Sequence, residues 1–183
     1  MAHVLLHSVE ARDITGARAQ LKGLSAQRVR QTLWRILKKT PLCAIATVGK
    51  NGRAHINTAY FGYSDDLELY FLSHPHSLHC RNLQARPTMA IAVFESAQRW
   101  GELDRGLQLF GTCRESRGRH ARRAEMMYAR RFKPYGDWRA ELDADDVARE
   151  YRFYCFMASR LKLFDEREFG GAIFVTAAVR RRR

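Results

Sequence analysis

The sequence predicts a mainly β protein, a small closed antiparallel barrel with helices at its periphery, and three observations carry that prediction. Short apolar or alternating runs of strand length are separated by tight-turn signals such as Asn51-Gly52 and Ser64-Asp65-Asp66. Helical periodicity is confined to segments that precede or interrupt those runs. Finally, 183 residues at 46% apolar composition suit one globular core rather than two.

The elements follow in order. Ser25 is a plausible N-cap, and Val29, Leu33, Ile36 and Leu37 recur at helical spacing while Arg28, Arg30, Arg35, Lys38 and Lys39 fill the other face. Basic residues in the last turn and then Pro41 end that helix. Residues 42–48 form a continuous apolar run, the Asn51-Gly52 turn follows, and 53–63 alternates Ala54, Ile56, Thr58 and Tyr60 against His55, Asn57, Ala59 and Phe61. One of those faces is core, which leaves the other free for ligand contacts. A third strand is expected over 67–73 and a short helix over 75–84, since proline is welcome in a first helical turn and Arg86-Pro87 closes the segment. Strands over 88–94 and 106–113 flank a loop over 96–105. A helix is expected over 117–132 with Ala121, Ala124, Met127 and Tyr128 on its buried side, and a long final strand over 151–164.

Composition narrows the functional classes. The chain carries 32 Lys+Arg against 19 Asp+Glu, a formal +13, so its surface attracts polyanions and phosphorylated cofactors. Basic residues crowd 114–133, acids crowd 137–150, and the chain ends in Arg180, Arg181, Arg182 and Arg183. Such runs are usually solvated faces, and no zinc-finger spacing or recognition-helix pattern accompanies them, so nucleic-acid binding is not expected. Cys43, Cys80, Cys113 and Cys155 stand singly without a Cys-x-x-Cys pair, which argues against structural zinc and a disulfide framework and fits a reducing cytoplasm. The N-terminal apolar run is too short for a signal peptide, and no stretch has the roughly 20 apolar residues of a membrane span.

Chemistry concentrates between the third strand and the helix after it. Ser73-His74-Pro75-His76-Ser77-Leu78-His79-Cys80-Arg81 offers hydroxyls, imidazoles, a guanidinium and the free amides of a helix N-terminus, which together suit a phosphate. The plainer reading is that Ser73 or Ser77 caps the helix and the histidines are exposed loop residues. Without carboxylate or cysteine partners at matching spacing, His74, His76 and His79 are not expected to hold a metal.

These residues resemble the pyridoxamine 5'-phosphate oxidase-like, FMN-binding split-barrel family. In the oxidase a strand ending Phe-Tyr-Thr-Asn precedes Ser-Arg-Lys, a Leu and an Asn-Pro, and here Phe71-Leu72-Ser73-His74, Ser77-Leu78-His79, Leu83 and Arg86-Pro87 keep the spacing. The family's Trp-x-x-Leu-x-Arg-Gln-Val-Arg-Ile-x-Gly is similar to Trp100, Leu103, Arg105, Gly106, Leu107, Gln108, Leu109 and Gly111. The resemblance implies a six-stranded antiparallel split barrel of Greek-key topology with peripheral helices. It divides the chain into a lead-in over 1–24, a flavin-binding domain over 25–165 with a helical insertion around 117–150, and a C-terminal segment over 166–183 with the arginine tail.

It also implies a homodimer with FMN at the subunit interface. Carried over by position, Asn57 and Thr58 line the flavin ring or ribityl chain, while Ser73, Ser77 and His79 hold the phosphate. Leu72 and Leu78 complete that loop, and Trp100 and Gln108 approach from the region around the interface. Departures from the oxidase are equally specific. The Arg and Lys of its Ser-Arg-Lys are Leu78 and His79, its second-strand Arg falls near Asn57, and its flavin-contacting Gln is Gly106. Each charge-assisted bond lost to a phosphate is worth roughly 1.5–3 kcal/mol. Oxidation of pyridoxamine phosphate is therefore not expected. The leading expectation is an FMN-dependent oxidoreductase acting on an unidentified small substrate, with a deazaflavin coenzyme as the nearest variant and no side chain assigned as catalytic. The alternatives are a non-catalytic flavin or haem binding or sensing protein and a polyanion-binding protein.

Overall fold

The computed structural model describes residues 4–181. Along the chain run β1 (Val4–Asp13), β2 (Arg18–Ala19), α1 (Ala26–Lys39), β3 (Leu42–Val48), β4 (Ala54–Tyr60), β5 (Gly62–Tyr63), β6 (Glu68–Ser73), α2 (Leu78–Ala85), β7 (Thr88–Phe94) and β8 (Arg105–Glu115). There follow α3 (Arg119–Arg131), α4 (Tyr135–Ala140), a 3-10 turn (Val147–Glu150), β9 (Arg152–Asp165), α5 (Glu166–Phe169) and β10 (Ile173–Arg181). The sheet runs β2-β1-β10-β9-β8-β7-β3-β4, with β6 added to β9 and β5 to β6.

Every pairing is antiparallel, and β9 organises them. Its 14 residues lie against β8 along their length. On the opposite edge the first half pairs with β6, Ser73 opposite Arg152 and Glu68 opposite Met157, and the second half pairs with β10, Val175 opposite Leu163. Strands β6, β9, β8, β7, β3 and β4 thus curl into a barrel, but no ladder joins β4 to β6, so the barrel is split there. The mainly β split barrel with peripheral helices is the fold expected from the sequence.

Local chemistry explains the helix that plugs the barrel. The Ser25 hydroxyl accepts from the Arg28 amide at 3.2 Å, and Val29, Leu33, Ile36 and Leu37 of α1 are buried against Cys43, Ile45, Ile91, Leu107 and Leu109 of the strands. At its other end the Arg131 guanidinium, reaching over from α3, donates at 2.7 Å to the carbonyls of both Leu37 and Thr40. A cation there satisfies carbonyls that the helix leaves free and opposes its negative end.

Three expectations are corrected. The second strand is not continuous over 53–63: it breaks into β4 and β5 at Phe61, whose side chain is fully buried. The third and final strands and the two later helices begin or end one to three residues from their expected limits, which is ordinary for element ends. More substantially, the stretches read as lead-in and tail supply β1 and β10, which pair with each other from Val4 opposite Arg181 to Asp13 opposite Ile173. Val4, Leu6, Ala11, Val175, Ala177 and Val179 put them in the core. Arg180 and Arg181 belong to β10, whereas Arg182 and Arg183 lie outside the described residues.

Two glycines mark where backbones touch. A Cβ on Gly62 would stand 3.0 Å from the Cα of Tyr128, so only a glycine lets α3 lie directly on β5. At Gly111, beside the bulge between Phe110 and Gly111 in the β8–β9 ladder, a Cβ would stand 2.0 Å from the Met157 carbonyl oxygen.

Candidate functional site

The split between β4 and β6 opens into a cavity of about 650 Å3, within the range of ligand sites. Its floor is Asn57, Thr58 and Ala59 from β4, Phe71 and Leu72 from β6, and His79 from the first turn of α2. The insertion after β8 supplies the opposite wall: Tyr128 and Phe132 from α3 and its end, then Pro134, Tyr135 and Trp138. Tyr60 and Tyr151 close the rim.

Each wall is held from behind. Helix α2 is fixed to β3 by the Asn82 amide, which donates to the Thr47 hydroxyl at 3.1 Å, and by buried Cys80 and Leu83. Helix α3 is fixed by its backbone contact with Gly62 and by Arg131, whose guanidinium lies 4.4 Å from the Phe61 ring centre and 4.9 Å from that of Tyr63. The Tyr135 hydroxyl donates to Glu125 at 3.0 Å, and the Tyr128 and Tyr135 rings meet edge to face at 5.3 Å.

Beside the floor lies a polar cluster. Nε2 of His79 stands 2.8 Å from the Ser73 hydroxyl and 3.2 Å from that of Ser77, and the two hydroxyls are 3.3 Å apart. Ser77 occupies the N-cap of α2, yet its side chain makes no capping bond. The plainer reading of Ser77 as a cap therefore does not hold, and the amides of the first turn remain without a side-chain acceptor. Burial, then the neighbouring His55 ring stacked at 6.2 Å, holds the His79 imidazole below its ordinary pKa. At pH 7 it is neutral, one ring nitrogen donating and the other accepting.

Of the residues singled out from the sequence, Asn57, Thr58, Leu72 and His79 share this cavity, with Ser73 and Ser77 bonded to His79 at its edge. Leu78 points elsewhere, into a cleft with Asn51, Arg81 and Gln84. Trp100 is fully exposed on the 95–104 loop. Gln108 lies on the outward face of β8 in a shallow hollow with Ala44, Ala90, Ala92 and Phe110. Within one protomer, then, neither Trp100 nor Gln108 reaches the cavity. His74 turns outward to Glu150 at 3.2 Å.

The aromatic wall was not read from the sequence as a site. Its signal was present in the spacing of Tyr128, Phe132 and Tyr135, one helical face carried on past Pro134. A cleft of about 690 Å3 beside the 95–105 loop is slightly larger, but its Arg35, Glu95, Arg105 and Asp165 are already engaged in ion pairs. The cavity at the split is where four of the nominated residues, Asn57, Thr58, Leu72 and His79, meet. No helix among the described residues is long and apolar enough to cross a membrane.

Comparison with known proteins agrees with the fold. Residues 30–164 match the family described as pyridoxamine 5'-phosphate oxidase. No curated protein matches the chain by sequence. Among solved structures, a haem-binding protein from Mycobacterium smegmatis superposes with a TM-score of 0.63 at 17% identity, covering 84% of this chain and 58% of that one. HutZ, the haem storage protein from Vibrio cholerae, gives 0.58 at 16% identity over 72% of this chain and 90% of its own. A Clostridium acetobutylicum protein related to general stress protein 26 of B. subtilis, of the pyridoxinephosphate oxidase family, gives 0.59 at 15% identity over 82% and 93%. At these identities the likeness is one of fold.

Proposed function

Because this chain belongs to the pyridoxamine 5'-phosphate oxidase family, we propose that it binds FMN in the cavity at the split and acts as a flavin-dependent oxidoreductase on a small molecule. The observation that carries the proposal is the convergence of Asn57, Thr58, Leu72 and His79, drawn from three separate elements, beside the Ser73 and Ser77 hydroxyls. The flat apolar walls suit an isoalloxazine ring, the Asn57 amide and Thr58 hydroxyl its polar edge or ribityl chain, and Ser73, Ser77 and the first amides of α2 its phosphate. The cofactor would supply the electron-transfer chemistry. The protein's part is to position it and to exclude water.

A specific observation favours haem as the second reading. Among the described residues no lysine, arginine, aspartate or glutamate lines the cavity, and the phosphate donors named above are hydroxyls and amides, all neutral. Two of the similar structures are described as haem-binding and haem-storage proteins. The test is the absorption spectrum of the purified protein, followed by titration with FMN and with hemin. For FMN we expect a flavin band released on denaturation. Ser77→Ala and His79→Ala should each weaken binding about two- to tenfold, the worth of a neutral hydrogen bond. A protein that shows no flavin band, takes up no added FMN and is indifferent to both substitutions would overturn the flavin reading. A saturable Soret band in its place would install the haem reading.

A homodimer forms part of the proposal. The outward face of β4-β3-β7-β8 carries Leu42, Ile56 and Phe94, 43%, 69% and 50% exposed, among alanines, with Arg114 at one end of β8. Such a patch is what a partner covers, and a second copy there brings its own Gln108 to the interface. Ile56→Arg is expected to convert a dimer to a monomer in sedimentation velocity, and an unchanged sedimentation coefficient would count against this face. The four cysteines are all free, which suits a reducing compartment such as the cytoplasm.

A further inference from the structure

The cavity is uncharged in a chain whose formal charge is +13. Burial pushes the Tyr128 phenol up to about 12 and, with the neighbouring His55, holds the His79 imidazole below its ordinary range, so neither adds charge at neutral pH. An ionised group brought against these walls gives up its hydration without meeting an opposite charge, and that cost is large in an apolar site.

The far wall differs in kind from the floor. Phe132, Pro134, Tyr135, Trp138 and Tyr151 come from the segment after α3 and offer ring faces and edges. Their backing is fixed: Tyr135 is 7% exposed and tied to Glu125, with its ring 6.0 Å from that of Phe153 and 5.9 Å from that of Trp138. Trp138 and Tyr151 keep part of their surface open. Preformed aromatic faces favour a planar ring, which stacks on them with little ordering cost.

We propose that the Phe132–Pro134–Trp138–Tyr151 wall is the substrate side of the cavity and that the substrate is an uncharged, planar aromatic molecule. The inference rests on the cofactor reading for which side of the cavity remains open. It sets this chain apart from any enzyme of a doubly charged, phosphorylated substrate, for which the wall has no partner. The protein's overall positive field works the other way, drawing anions toward the surface. A preference for a neutral ligand therefore has to come from the cavity itself.

The experiment compares 2-naphthol with 2-naphthoate, one ring system in neutral and anionic form at pH 7, by calorimetry and ligand-observed saturation-transfer NMR in 0.15 M salt. Both the protein as purified and the FMN-loaded protein are used. We expect 2-naphthol to bind at least about tenfold more tightly than 2-naphthoate, and Trp138→Ala or Tyr151→Ala to weaken 2-naphthol by at least about fivefold. Circular dichroism and the melting temperature confirm that the variants are folded. Equal or tighter binding of 2-naphthoate, or indifference of both folded variants, would overturn the inference. Flavin occupancy is read separately from its absorption band. Loss of naphthol selectivity with flavin bound therefore overturns this inference alone, and selectivity without flavin binding overturns the cofactor reading alone.

Discussion

Gly111→Ala is expected to be the most destabilising single-methyl change in the chain. The added Cβ would stand 2.0 Å from the Met157 carbonyl oxygen, 2.9 Å from its carbon and 3.0 Å from the Cα of Ala158. All three are backbone atoms of β9, so no side chain can swing aside. Strand β8 would have to lift from β9 at the bulge in the ladder on which the barrel is built. Overpacking of a compact site costs typically 1–3 kcal/mol, and a forced backbone separation belongs at or above the top of that range, about 3 kcal/mol or more. For a chain of this size that lowers the melting temperature by about 6–12 °C. Gly136→Ala is the control: Gly136 lies in α4 with nothing within 4 Å of its Cβ position and no positive φ. There the methyl should stabilise slightly, by roughly 0.4–1 kcal/mol. Thermal and urea denaturation of the two variants give the comparison, and a Gly111→Ala melting temperature within about 2 °C of wild type would refute the account of that position.

That glycine illustrates what a single sequence shows and what it hides. Gly111 stood in a recognisable pattern after Trp100, but the oxygen that demands a glycine belongs to Met157, far along the chain. Local signals carried the rest of the barrel well. The apolar run of β3, the Asn51-Gly52 turn and the alternation of β7 each depend on neighbours in sequence, and each is present within a residue of its expected place. Strand β1 was hidden by its own geometry. Val4 and Leu6 point inward on even positions, a bulge between His7 and Glu10 with Ser8 at φ 51° shifts the phase, and Ala11 continues inward on an odd one. No single period of two fits that segment. In β10 the alternation is regular, but its alanines are weak strand formers, its arginines read as a tail, and its partner β1 lies at the opposite end of the chain.

The site was legible in half. Asn57, Leu72 and His79 share one floor, with Ser73 and Ser77 at its edge, because β4, β6 and α2 are joined by short connections. The opposite wall comes from an insertion that starts with α3 at Arg119, well after the floor ends at His79, and is placed there by Arg131 on the carbonyls that end α1 and by the bare backbone of Gly62. The partners of both contacts, the Leu37 and Thr40 carbonyls and Gly62, lie far back in the chain, so nothing local to Phe132 or Trp138 announces them.

Filling the cavity tests its role without touching any polar contact, and the expected effect on binding is the largest of any substitution considered. Leu72 is half-buried on β6 and packs beneath the insertion with Tyr135 and Phe153. Leu72→Trp places an indole in space that a flat cofactor would need, while the fold loses no buried hydrogen bond and the strand keeps a residue that favours it. Cofactor affinity should fall by at least about a hundredfold, because a ring that must displace a packed indole forfeits most of its contact surface. The melting temperature should stay within about 4 °C of wild type, the cost of modest overpacking at the edge of a cavity. The decisive measurement is the dissociation constant of Leu72→Trp for FMN and for hemin beside that of the wild-type protein. If the cavity between β4, β6 and the aromatic insertion is the cofactor site, the wild type binds one of the two and the folded variant binds neither; a folded variant that binds the same cofactor with wild-type affinity would contradict it.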